Sequence, residues 1–213
     1  GKTLGESIQG CDIKDEEVVR KDNDSAIMTF DQAVQLCYSF NYGRLIIGRG
    51  SYNPKTTPID FRTGEGNISA SYGFEAQVAE VEVDKKTGRV KVLKMYDVHD
   101  IGYPINPASV HGQIEGSIIM GLGYTLHEEL KFKDGKALNP SFSKYRIPRS
   151  VDIAPIESIF VETNDPQGPF GAKGMGEASL LPTAAAIANA IYDAVGVRIK
   201  DLPITPEKVL KAL

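Results

Sequence analysis

Ala79-Glu-Val-Glu-Val-Asp-Lys-Lys-Thr-Gly-Arg-Val-Lys-Val92 decides the fold class of this chain. Ala79, Val81 and Val83 alternate with Glu80 and Glu82, the period-two pattern of a strand with one face buried and the other in water. Asp84 to Arg89 supplies a turn, and Val90, Val92 and Met95 start a returning strand, so the segment predicts an antiparallel hairpin. Beyond it, residues 110–126 carry Ile114, Ile118, Ile119, Leu122 and Leu126 on one helical face. The glycines at 112, 116, 121 and 123 cost such a helix roughly 1 kcal/mol each relative to alanine and point to close approach by another backbone or a ligand. A second hairpin is expected over 126–138, turning at Asp134-Gly135. A strand is expected over 158–162. Pro182 fits the first turn of a helix over 182–195, which Ala184, Ala185, Ala186, Ile187, Ala188, Ala190 and Ile191 make apolar almost all round, so it should be buried. A short terminal helix starts at Thr205-Pro206-Glu207. Strands and helices are segregated rather than strictly alternating, which predicts an α+β class of mixed helices and antiparallel hairpins.

The N-terminal part reads differently. Residues 1–28 are polar, with a charge-dense run from Asp12 to Asp24, and suggest an irregular lead-in. Thr29 and Gln32 have capping-box spacing ahead of Ala33, Val34, Leu36, Cys37 and Phe40, predicting a short helix that ends near Gly43. A short strand is expected over 45–47, and the stretches 53–67 and 97–107 read as irregular. The chain therefore divides into a lead-in with a short helix, 1–40, and a main domain, 41–213.

Composition excludes several classes. A net charge of −4 and a pI near 5.5 give no electrostatic footprint for nucleic acid or an anionic membrane. No apolar run is expected to reach the ~20 residues that cross a bilayer. Cys11 and Cys37 lack CxxC spacing and partner histidines, so a reduced, cytoplasmic setting is expected. The chain opens on Gly1 rather than Met, which suggests a fragment or a processed subunit.

Chemistry concentrates in Gly168-Pro-Phe-Gly-Ala-Lys-Gly-Met-Gly-Glu177. Four glycines and a proline bring one lysine and one glutamate onto a tight loop ahead of a helix, where unpaired N–H groups suit an anion. The loop contains no GxxxxGK[ST], and Gly174-Met-Gly176 lacks a third glycine at Ser179, so P-loop and Rossmann assignments fail. Residue types alone leave two readings open: a structural turn whose Glu177 caps a helix or faces water, or a binding site with Glu177 beside a reacting centre. Lys173 similarly reads as a surface ammonium or an anion ligand. His99, His111 and His127 have no mutual metal-ligand spacing and are expected in loops or at the surface, so no protein-held metal is predicted.

From about Tyr42 to Val197 the chain resembles the C-terminal part of the molybdopterin-binding subunit of the xanthine dehydrogenase/aldehyde oxidase family. The ordered segments that carry the resemblance are Phe74-Glu-Ala-Gln-Val-Ala-Glu-Val-Glu-Val-Asp84, Ile105-Asn-Pro-Ala-Ser-Val-His-Gly-Gln-Ile-Glu-Gly116, Gly121-Leu-Gly123 with Glu128-Glu-Leu130, Tyr145-Arg-Ile-Pro148 with Asp152-Ile-Ala-Pro155, and Lys173-Gly-Met-Gly-Glu177. The last is the most specific, because the family's catalytic glutamate closes a Lys-Gly-x-Gly-Glu motif.

The resemblance implies a molybdenum hydroxylase that inserts a water-derived oxygen at an electrophilic carbon of a heteroaromatic or aldehyde substrate. It implies Glu177 as general base and a molybdenum–molybdopterin cofactor, as such or in its cytosine dinucleotide form. Gln113 would hydrogen-bond the pterin, and Gly171, Ala172, Lys173 and Gly174 would line the cofactor side. FAD and 2Fe-2S clusters are implied on partner subunits. The family's subunit is far longer than this chain, and nothing in residues 1–40 resembles its other pterin loop. The N-terminal half of the molybdopterin subunit is therefore an implied partner, and the chain alone is expected to be inactive. The competing reading is a non-catalytic binding or assembly domain that retains the fold.

Overall fold

Residues 10–40, 47 and 49–213 are described by the structure, a computed structural model. They fall into two units, Gly1–Asn53 and Pro54–Leu213.

In the first unit the charged run is ordered. Strands β1 (Cys11–Lys14), β2 (Glu17–Arg20) and β3 (Ala26–Thr29) form an antiparallel meander, with Cys11 opposite Arg20 and Glu17 opposite Thr29. This corrects the expectation of an irregular lead-in. Asp15 and Glu16 both adopt positive φ, 48° and 63°, and close a two-residue hairpin that acidic side chains disguise as a charge cluster. Helix α1 (Phe30–Phe40) follows. Its capping box is formed as expected: the Gln32 N–H donates to Thr29 Oγ1 at 3.2 Å, and the Thr29 N–H to Gln32 Oε1 at 3.1 Å. The expected end near Gly43 lies outside the described residues, as does most of the expected strand over 45–47.

The second unit is built on the predicted hairpin. β4 (Glu75–Val83) and β5 (Val90–Asp100) pair antiparallel, with Val83 opposite Val90 and Glu75 opposite His99. A bulge between Glu80 and Val81 absorbs one residue of β5. β5 runs through Asp100, so the polar stretch from Asp97 is strand rather than loop. Its pattern misleads because Asp97 and His99 continue the buried face, where polar groups replace apolar ones.

Helix α2 (Pro107–Leu126) then crosses the sheet face. Pro107 occupies its first turn, and the Asn106 side chain accepts from the Ser109 N–H at 3.1 Å. The hairpin β6 (Phe132–Lys133) and β7 (Lys136–Ala137) turns at Asp134-Gly135, as expected. β8 (Ile156–Val161) adds to β5 in parallel, giving sheet order β4-β5-β8. Hairpin signals could not announce this parallel pair, because its two strands are joined by the long α2 crossover.

Ahead of β8, Arg146 Nη2 and Arg149 Nε donate to Asp152 at 2.9 and 3.2 Å. Burial would raise the Asp152 carboxyl, but the arginines and the Arg149 N–H outweigh it and bring it down to about 2. A depressed carboxyl contributes stability above its unfolded value near 3.8 and loses it as pH falls through about 2. The gap in thermal midpoint between the parent and Asp152→Asn should therefore be full at neutral pH and close between about pH 4 and pH 2. Parallel melts at stepped pH check this.

Helix α3 (Thr183–Val195) ends at Gly196 in the left-handed region, and α4 (Pro206–Ala212) closes the unit. α3 buries only Thr183, Ile187 and Ile191, which corrects the expectation of burial all round: its alanines let one narrow face pack while Ala185, Asn189 and Asp193 face water. The stretch Ala178–Val195 is long and apolar enough by composition to cross a membrane, contrary to the sequence expectation. Pro182 breaks it, however, and the 13 residues of α3 reach only ~20 Å of the ~30 Å hydrocarbon layer. Its buried face instead joins Val92, Met95, Ile114, Ile118, Leu122, Ile204 and Val209 in one core.

The α2–α3 contact needs Gly121, because a Cβ there would collide with the Thr183 side chain. Gly121→Ala should cost about 1–3 kcal/mol, read from urea denaturation.

Candidate active site

The glycine loop is fastened from three sides. Its Lys173 ammonium is nearly buried and donates to Asp100 Oδ2 and to the Tyr72 carbonyl, both at 2.6 Å, with Asp165 at 4.0 Å. The Lys173 N–H bonds to the Ile101 carbonyl at 2.9 Å. A Cβ at Gly102 would meet the Gly171 carbonyl, so the close approach of these two backbones requires glycine. Lys173 is thus neither a surface ammonium nor a free anion ligand; it pins the loop to the end of β5. Asp100 gains in turn, since hydrogen bonds from Lys173, Thr163 and Gly102 outweigh burial and hold its carboxyl below the usual range.

Of the cofactor-side residues read from the sequence, three have committed backbones. The N–H groups of Gly171, Ala172 and Lys173 go to the carbonyls of Gly168, Pro169 and Ile101. The loop's open surface starts at Gly174: a Cβ at Gly174 or Gly176 would meet nothing within 4 Å. Glu177 follows, exposed, at the start of a 3-10 turn (Ala178–Leu180), and its side chain makes no capping bond. The capping alternative is thereby removed.

Gln113 lies exposed on α2, flanked by Gly112 and Gly116, which also have open space where a side chain would be. Ser117, one turn further along the same face, donates from Oγ to the Gly176 carbonyl at 3.2 Å. That bond ties the residue before Glu177 to the helix of Gln113. An open apolar depression lies nearby, lined by Gly121, Tyr124, Leu181, Ala184 and Leu202, but neither Gln113, Gly174 nor Glu177 borders it.

Beneath the turn sits a polar cluster that the sequence did not reveal. Cross-strand register sets Glu75 opposite His99 and Gln77 opposite Asp97, all on the buried face. Gln77 Nε2 donates to Glu75 Oε1, Asp97 Oδ1 and the Ser179 carbonyl at 2.7–2.9 Å, and Thr183 Oγ1 donates to Gln77 Oε1. Ser179 Oγ lies 3.2 Å from His99 Nδ1. His99 is 2% exposed, correcting its expected loop or surface position. The Glu75 carboxylate at 3.6 Å raises its imidazole against the effect of burial. Burial, and next Glu75, push Asp97 up to about 7. Glu75 itself is raised by burial, but His99 and Asp97 outweigh this and leave it low. Strand pairing, invisible in linear spacing, assembles these groups. His111, by contrast, is exposed on α2 and meets Ser158 Oγ on β8 at 2.5 Å.

Residues 1–154 match the model of the molybdopterin cofactor-binding domain. The chain belongs to that family. It is 40% identical over 154 residues to the aldehyde oxidoreductase molybdenum-binding subunit of Escherichia coli strain K12, covering 70% of this chain and 21% of that subunit. It is 38% identical over 138 residues to the xanthine dehydrogenase molybdenum-binding subunit of Escherichia coli O157:H7, covering 64% of this chain and 18% of the relative. Among solved structures, quinoline 2-oxidoreductase from Pseudomonas putida 86 aligns over 100% of this chain and 27% of its own, with a TM-score of 0.78 and 28% identity. The chain spans about a fifth of the length of the curated relatives it matches. The molybdopterin-binding family and the α+β fold read from the sequence are both shown.

Proposed function

We propose that this molybdopterin-binding domain forms the glutamate-bearing wall of a molybdenum hydroxylase active site, acting on an electrophilic carbon of an aldehyde or N-heteroaromatic substrate. The Ser117–Gly176 hydrogen bond carries the reading, because it fastens the exposed Glu177 to the helix that presents the exposed Gln113. The open glycines 112, 116, 174 and 176 fit a bound group, since packing among the described residues does not require them to lack side chains. On that reading the Gln113 carboxamide and the backbone from Gly174 would hold the pterin, while Gly171, Ala172 and Lys173 shape the loop behind it.

When bound, the molybdenum–molybdopterin cofactor, in plain or cytosine dinucleotide form, supplies the two-electron redox chemistry of hydroxylation. Glu177 takes up the proton released as the water-derived oxygen bonds to carbon, which requires its carboxylate within hydrogen-bond reach of that oxygen. It is free to do so because no neighbouring group claims it as a cap. Closure over it by the rest of the molybdopterin subunit would exclude water from the reacting centre. Iron–sulfur and flavin partners complete the electron path.

Co-expression with a polypeptide supplying the N-terminal half of the subunit, followed by a panel of aldehydes and N-heterocycles with an artificial electron acceptor, tests this. Substrate-dependent acceptor reduction that disappears when tungstate replaces molybdate in the medium is expected. A molybdenum-loaded complex inert toward both substrate classes would overturn the reading.

A further inference from the structure

Asp97 Oδ2 is fully buried and is an orphan, with no hydrogen-bond partner among the described residues. A buried acceptor left unmet is costly, more so when it is charged, so such an atom needs an explanation. It does not point into apolar packing. It lies 4.0 Å from His99 Nδ1, which is itself 3.6 Å from Glu75 Oε1. One ligand atom from each of the three residues falls within 4.8 Å of the others.

We propose that Glu75, Asp97 and His99 form a binding site for one divalent ion of the zinc class, inside the β4–β5 hairpin and beneath the turn that carries Glu177. An ion seated among atoms at these separations would lie roughly 2.0–2.4 Å from each, close to zinc–nitrogen and zinc–oxygen bond lengths. An imidazole nitrogen with two carboxylates suits a borderline ion; magnesium and calcium prefer all-oxygen shells and retain more water or take more ligands.

Gln77, which donates to both Glu75 and Asp97, holds the two carboxylates facing the gap, and the fourth position falls to Ser179 Oγ, 3.2 Å from the imidazole. The β-sheet supplies rigidity: Asp97 and His99 are two apart on one strand and Glu75 is directly across from His99. The site would stiffen the platform under Ser179 independently of any chemistry at Glu177, so its failure would leave the hydroxylase reading intact.

The test is titration of the metal-stripped chain with zinc chloride by isothermal calorimetry near neutral pH. One zinc per chain is expected, unaffected by excess magnesium or calcium, with Asp97→Asn and His99→Gln each weakening binding at least ~10-fold. Because either variant could fail to fold, X-ray absorption of the zinc-loaded parent gives a second readout, expected to show one imidazole and oxygen neighbours without sulfur. Absence of saturable binding, unchanged affinity in folded variants, or sulfur scattering from Cys11 or Cys37 would each overturn the site and leave a proton-filled polar network in its place.

Discussion

Replacing Glu177 by Gln in the assembled, cofactor-loaded enzyme should lower turnover by about 10²–10⁴-fold, the range of a lost general base, with molybdenum content and melting temperature unchanged. The second half of that expectation follows from the geometry. Glu177 is exposed, makes no capping bond, and begins a short 3-10 turn whose position is set by others. Ser117 holds the Gly176 carbonyl, and Gln77 holds that of Ser179. The amide keeps shape and polarity and removes only the ability to accept a proton. Turnover, cofactor content and a thermal melt, measured together on both forms, check it. A silent substitution would favour a binding or assembly domain that keeps the fold without the chemistry.

Lys173→Met should destabilise the chain by about 3–5 kcal/mol in the absence of any cofactor, because it strands a buried carboxylate. Asp100 is 6% exposed and meets the Lys173 ammonium at 2.6 Å, with Thr163 and the Gly102 N–H as its other partners. Removing both charges with Lys173→Met and Asp100→Asn should recover much of the loss, since breaking a buried pair costs more than replacing it. Chemical denaturation of the single and double variants measures this. The result separates two roles for the same residue: a cofactor ligand would show its effect only when cofactor is bound, whereas a pin for the loop shows it in the bare chain.

The hairpin over β4 and β5 was legible because an alternating strand, a Thr-Gly turn and a second apolar run each carry local signals. So were the α1 capping box and the turn at Asp134-Gly135. What escaped was of two kinds. Asp15 and Glu16 at positive φ hid a meander inside a charged run, since acidic residues rather than glycine or asparagine make the turn. Asp97, His99 and Glu75 were unreadable as a group because strand register, not spacing, brings them together. The place of Lys173 is hidden for a related reason. Its partner Asp100 lies 73 residues away, at the end of a strand whose polar close looked like loop. The glycines divide similarly: Gly121 answers to Thr183 within the chain, whereas Gly112, Gly116, Gly174 and Gly176 answer to nothing described here.

Those four open glycines fit the proposal that the chain presents one wall of a molybdopterin site and the rest of the molybdopterin subunit presents the other. Molybdenum per chain, measured by mass spectrometry of elements on protein from a molybdenum-replete host, tests it most directly. Almost none is expected on the chain purified alone, and one per chain when it is purified bound to the complementing N-terminal half. Stoichiometric molybdenum on the isolated chain would contradict it.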